Sequence, residues 1–110
     1  MLHPAVRSFV PAIQALCRQH GVQQLYLFGS AVTRNFDAIR SDIDALVTLL
    51  PMPPLTQGEN LLSLWAELET LLKRRVDLLT PESLQNPFLK AEIERTKQLL
   101  YDATGTEIPV

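Results

Sequence analysis

FGSAVTRNFDAIRSDIDALV, residues 28–47, contains Ser41-Asp42-Ile43-Asp44 at the head of a run that otherwise reads as buried strand. A later run of the same kind, Val76-Asp77-Leu78-Leu79, carries another aspartate. Aspartate is depleted from strands because its short side chain competes for backbone hydrogen bonds and resists burial. Residues two apart in a strand share a face, so Asp42 and Asp44 point one way and Ile43 the other. Two ionised carboxylates a few ångströms apart repel by roughly 4 kcal/mol at an effective dielectric near 20, unless a cation or a shared proton intervenes. Oxygen-only ligands favour a hard ion, Mg2+ or Mn2+, of the kind that keeps waters and meets nucleotide phosphates. The alternative is structural: Asp42 and Asp44 on a solvated strand edge beside Arg40, and Asp77 paired with Arg74 or Arg75.

Ahead of the aspartate pair, Leu25-Tyr26-Leu27-Phe28 reads as a short strand ending in a tight turn at Gly29-Ser30. A residue without a side chain there lets backbone amides approach an anion closely. A helical turn opening at this point would add the Ser30 hydroxyl to a phosphate cradle. Taken singly, Gly-Ser and Asp-x-Asp are weak signals. Their order is more specific: apolar strand, Gly-Ser, linker, Ser-Asp-x-Asp, then a further strand aspartate.

In that order the chain resembles the nucleotidyltransferase superfamily typified by DNA polymerase beta, and within it the minimal nucleotidyltransferases, the MNT antitoxins of HEPN/MNT toxin-antitoxin pairs. The matching segments are residues 28–47 and RRVDLLTPESLQNPFLKAEIERTKQLLYDA, residues 74–103. The resemblance implies that Gly29 and Ser30 bind the nucleotide triphosphate, that Asp42 and Asp44 hold metal ions, and that Asp77 is the third carboxylate. It implies ATP as donor and a tyrosine hydroxyl of a cognate HEPN toxin as acceptor, which would be AMPylated. With two ions about 3.5 to 4 Å apart, the acceptor oxygen would attack the α-phosphate in line and expel pyrophosphate, with Asp77 able to take the proton of the attacking hydroxyl. Many relatives carry a second glycine soon after Gly-Ser, whereas this chain runs Ala31-Val32-Thr33-Arg34-Asn35. Asn35 tolerates left-handed geometry, and Arg34 reads either as a phosphate contact or as an ordinary solvated arginine. Two other readings stand beside this one: an antitoxin that neutralises its toxin by binding alone, and an aminoglycoside-type nucleotidyltransferase, for which the chain has no acceptor-closing domain.

Length and composition frame one domain. The 110 residues are 46% hydrophobic, enough for one core, and the formal charge of −2 lacks the basic footprint of a nucleic-acid binder. Direct nucleic-acid binding is therefore not expected. Cys17 is the single cysteine, which excludes an intrachain disulfide and fits a reducing compartment. No signal-peptide pattern opens the chain and no apolar run approaches bilayer length, so the expected location is cytoplasmic.

Periodicity supplies the element order. Val6, Phe9, Val10, Ile13, Leu16 and Cys17 predict one helix after Pro4, with Gly21 beyond its end and His20 in its last turn serving the helix dipole. Strands are expected at about 23–28, 42–49 and 76–79, and Pro51-Met52-Pro53-Pro54 reads as a stiff loop. Leu61, Leu64, Trp65, Leu68, Leu71 and Leu72 form a helical stripe explained by core packing, followed by the basic Lys73-Arg74-Arg75. Thr80-Pro81-Glu82-Ser83 reads as a capped helical start. Leu89, Ile93, Thr96 and Leu100 predict a final amphipathic helix. The order helix-strand-strand-helix-strand-helix gives an α/β domain, a short mixed sheet with helices mainly on one face, over residues 1–103, with a mobile tail at 104–110.

Overall fold

The structure, a computed structural model, describes residues 2–32 and 42–105. Its elements are α1 (Pro4–Arg7), α2 (Val10–Gln19), β1 (Val22–Phe28), a 3-10 turn (Gly29–Val32), β2 (Ile43–Leu49), α3 (Pro54–Leu72), β3 (Val76–Leu79), a 3-10 turn (Pro81–Ser83), α4 (Pro87–Thr96) and β4 (Gln98–Asp102). The four strands form one mixed sheet in the order β3-β2-β1-β4. β1 runs antiparallel to both β2 and β4, and β2 runs parallel to β3. The fold is α/β, as the residue pattern predicts.

Alternation along the strands divides the sheet into two faces. Leu25 and Leu27 of β1 partner Val47 and Ala45 of β2, and these four join Ile43, Val76 and Leu100 in a core with Val6, Val10, Ile13 and Cys17 on one side and Leu64, Leu68 and Leu72 of α3 on the other. Each fully buried aliphatic side chain contributes about 1.5–3 kcal/mol. Tyr26 and Leu46 partner each other on the opposite face, where α4 lies over them with Ile93 buried and Lys97 Nζ 4.9 Å from the Tyr26 ring centre. Phe28 and Asp44 are the next pair along that second face. Cys17 is fully buried and its thiol is pushed up to about 12, chiefly by burial, so it is an inert core residue.

Several expectations are corrected. The first helix is two helices: Pro11 has no N–H to offer the Arg7 carbonyl and its ring crowds that turn, so the chain turns over Ser8-Phe9 and restarts at Val10. α3 begins at Pro54, with Pro53 as its N-cap, nearly two turns before the apolar stripe; Pro suits the first helical position, and the polar stretch around Gly58 hides that start from periodicity. Thr80 and Ser83 do form a reciprocal capping box, but it closes only one 3-10 turn. The helix proper is capped by Asn86, whose side chain accepts from Phe88 N and Leu89 N. That helix ends at Thr96, and Leu100 belongs to β4, a strand the helical spacing had absorbed. His20 ends α2 but does more than face its dipole: Nδ1 lies 2.7 Å from Leu16 O, and Nε2 lies 3.0 Å from Ser63 Oγ and 2.6 Å from Glu67 Oε2. It ties α2 to α3. Among the described residues no helix is long and apolar enough to cross a membrane.

Candidate functional site

The two strand aspartates meet because of register. Asp44 on β2 is the direct partner of Asp77 on β3, and on its other side it partners Phe28 of β1. Asp44 is half-buried between these neighbours and its carboxyl is pushed up to about 6, first by burial, then by the Asp77 charge, a hydrogen bond shared with Asp77, and the Asp42 charge. Asp42, just ahead of β2, is also half-buried. Ile43 between them is buried in the core, so the alternation read from Asp42-Ile43-Asp44 is realised.

Where β1 ends, Gly29 takes φ +71°, a backbone angle that costs an ordinary residue about 1–2 kcal/mol. A Cβ built there would sit 2.9 Å from Asp44 Oδ2. Gly29 is thus needed both for the turn and for the approach of the loop to the carboxylate. Its N–H donates to Thr96 Oγ1 at 2.9 Å, and the Thr96 hydroxyl donates to Glu92 O at 2.8 Å. The end of α4 therefore anchors the Gly29-Ser30 turn. Thr96 was expected only as part of an apolar stripe; its bond to Gly29 crosses from the last helix to the first strand, which periodicity does not register.

Phe28, Gly29, Ser30, Asp44, Asp77 and Trp65 line one cavity of about 710 Å3, completed by Val76, Leu78, Leu79, Leu89 and Glu92. That volume lies in the range of small-molecule sites. Trp65 is the main correction to the sequence reading: it is not core but 43% exposed, with its indole Nε1 donating to Val76 O at 2.7 Å. Glu69, one turn on, accepts from Val76 N at 2.9 Å. Both peptide groups of Val76 on the edge strand are thereby taken by α3 side chains four residues apart, which share a helix face. Of the expected site residues, Gly29, Ser30, Asp44 and Asp77 come together in the cavity, Asp42 acts on Asp44 from beside it, and Arg34 lies outside the described residues, as do Asn35 and Arg40.

The donor set suits a hard divalent ion. Three carboxylates are drawn to one strand end at an electrostatic cost visible in Asp44, and a cation removes that cost. Among the described residues no three His, Cys, Asp or Glu side chains form a ready cage for an ion.

Residues 12–105 match the family model described as polymerase beta, nucleotidyltransferase. A protein of Methanocaldococcus jannaschii provisionally named a protein adenylyltransferase is 35% identical over 89 residues, covering 78% of this chain and 82% of its own. A solved structure provisionally named a minimal nucleotidyltransferase aligns at TM-score 0.68 with 30% identity, over 88% of this chain and 94% of that one. A toxin-antitoxin complex crystallised with AMP-PNP aligns at TM-score 0.63 with 26% identity, over 86% of this chain and 73% of that one. With the Gly-Ser turn and the paired strand aspartates in one cavity, this chain belongs to the polymerase beta nucleotidyltransferase family, and its chemistry is nucleotidyl transfer.

Proposed function

We propose that this protein is the antitoxin of a toxin-antitoxin pair and acts as a protein adenylyltransferase, moving AMP from ATP to a tyrosine hydroxyl of a HEPN toxin in the cytoplasm. The observation that carries this reading is the row Phe28, Asp44, Asp77 across three strands, with Gly29 and Ser30 at its head in the same cavity. The adenylyltransferase relative and the toxin-antitoxin complex with AMP-PNP support the donor and the partner class.

Each residue has a task. Gly29, lacking a Cβ, leaves room for phosphate beside Asp44, and Ser30 donates its hydroxyl to a phosphate oxygen. Asp42, Asp44 and Asp77 would hold Mg2+ or Mn2+, which when bound neutralises triphosphate charge and lowers the pKa of the attacking hydroxyl. Asp77, exposed at the outer strand, accepts the acceptor proton as the tyrosine oxygen bonds to the α-phosphorus and the bond to pyrophosphate breaks. Phe28, Leu79 and Leu89 give the cavity dry walls that strengthen these charge interactions. Thr96 holds the Gly29 turn against the carboxylates.

Intact-protein mass spectrometry tests the reading. Incubated with ATP, Mg2+ and the HEPN toxin, wild type should add about 329 Da per AMP to the toxin, the mass transferred when pyrophosphate leaves. Asp77→Asn should still bind the toxin but modify it far more slowly. A toxin neutralised with no mass added, and protected equally by Asp77→Asn, means an antitoxin that works by occlusion alone.

A further inference from the structure

The cavity has two distinct ends along the sheet. Gly29 and Ser30 close it on the β1 side and Trp65 closes it on the β3 side, with Asp44 and Asp77 between. Neighbouring strands are about 4.8 Å apart, so the row from Phe28 through Asp44 to Asp77 is a line of two such steps. In-line displacement requires the attacking and leaving oxygens to stand on opposite sides of the α-phosphorus. With the leaving pyrophosphate at Gly29-Ser30 and the α-phosphate at Asp44, the attacking hydroxyl arrives on the Asp77 side. Whatever carries that hydroxyl must rest on what lies beyond Asp77.

An apolar ledge lies there. Trp65 is exposed yet held in place, because its indole N–H is bonded to the β3 edge at Val76 O. Beside it a shallow hollow of about 150 Å3 is lined by Leu61, Leu62, Trp65, Leu78 and Thr80. Trp65 and Leu78 line both the cavity and this hollow, and Leu62 on the hollow's α3 side is 65% exposed. A fixed indole next to a carboxylate matches a side chain that is an apolar ring ending in a hydroxyl, and matches an aliphatic hydroxyl poorly.

We propose that Trp65, with Leu78, is the subsite for the aromatic ring of the acceptor, stacking the phenol so that its hydroxyl reaches Asp77 and selecting tyrosine over serine or threonine. The inference rests on the adenylyl-transfer reading above. Trp65 is a positioning residue in this scheme: the proton goes to Asp77 and the indole forms no bond to the reacting atoms. Its N–H, already used by Val76 O, is not available to the phenol, so recognition is through the ring face and through Asp77.

Trp65 is the single tryptophan of the chain, so its emission reports on the subsite directly. In full-length protein loaded with Mg2+ and AMP-PNP and excited selectively at the indole, N-acetyl-tyrosinamide should quench and shift the emission, whereas N-acetyl-serinamide should leave it unchanged. In AMP transfer to the toxin, Trp65→Leu should raise the acceptor KM about tenfold, the scale of a lost aromatic contact with its buried area. The KM for ATP should stay within about twofold, and Trp65→Phe should restore most of the acceptor KM. An indole that ignores the tyrosine probe, or a Trp65→Leu protein with unchanged acceptor KM, overturns the subsite while adenylyl transfer stands. A response to AMP-PNP alone, with the ATP KM raised in Trp65→Leu, assigns the ring to the nucleobase and also overturns it. Wild-type protein that modifies no acceptor sinks the transfer reading and the subsite with it. Should Trp65→Leu fail to fold, the emission of wild type decides.

Discussion

Asp44 and Asp77 face each other as register partners across the parallel β2–β3 pair, and the chain keeps both carboxylates there although burial first, and the Asp77 charge second, raise the Asp44 carboxyl to about 6. A hydrophobic strand end would be cheaper for folding alone, because like charges close together oppose the compact state. The pair is kept at a strand end that opens into the cavity holding Gly29 and Ser30. Stability is given up at a strand end that lines the cavity, a pattern expected where function competes with folding.

The first prediction is a pH dependence of stability with a definite sign. Asp44 titrates near its ordinary 3.8 when unfolded and at about 6 when folded, so between those values the folded state binds more protons. Stability is then highest below the unfolded pKa and is lost as pH rises through the folded one. Metal-free protein should therefore show a falling Tm between about pH 4 and pH 6, and Asp44→Asn should flatten that fall. A Tm that rises across this window in wild type and not in Asp44→Asn contradicts the assignment.

Divalent metal should act in the opposite sense. At neutral pH, Mg2+ or Mn2+ should raise Tm, by an amount that reaches about 2.7 kcal/mol of stabilisation at a hundredfold excess over Kd. The Asp42→Asn/Asp44→Asn double change should abolish the gain and raise the Tm of the metal-free protein, since the repulsion is gone. Equal metal shifts in wild type and double mutant would place the ion elsewhere.

Gly29 should be intolerant of a side chain for two separable reasons. Gly29→Ala must hold a positive φ at a cost of about 1–2 kcal/mol, and its Cβ must push the Asp44 carboxylate aside. The carboxylate is the free end of a side chain and can move, so the fold should survive while affinity for a non-hydrolysable ATP analogue in Mg2+ falls. Gly29→Val should be worse. Thr96→Val, which removes the acceptor of the Gly29 N–H, should cost about 1–3 kcal/mol and weaken the same titration. Calorimetry with undiminished affinity in a folded Gly29→Val protein would refute this.

Leu100 provides a test of the strand that spacing concealed. It is fully buried in β4 against the main core, so Leu100→Ala should destabilise by about 2–5 kcal/mol in denaturant unfolding. Phe88, 84% exposed at the start of α4, should tolerate alanine within about 0.5 kcal/mol. Similar effects at the two positions would deny β4 its place in the sheet.

What the sequence determined by itself was local: the alternation that turns Asp42 and Asp44 away from Ile43, the Gly29 turn after an apolar strand, β3 from Val76 to Leu79, and the box from Thr80 to Ser83. Each of these depends on side-chain period or backbone freedom over a few residues, which a linear pattern carries in full. Only the tertiary structure decided that Asp77 would partner Asp44, that Thr96 would hold Gly29, that Trp65 would leave the core stripe to cap the β3 edge, and that Leu100 would end in a strand beside β1. Those outcomes join residues far apart in the chain. They are fixed by which pairing buries apolar surface and by where edge groups such as those of Val76 find partners, and no local period encodes that choice.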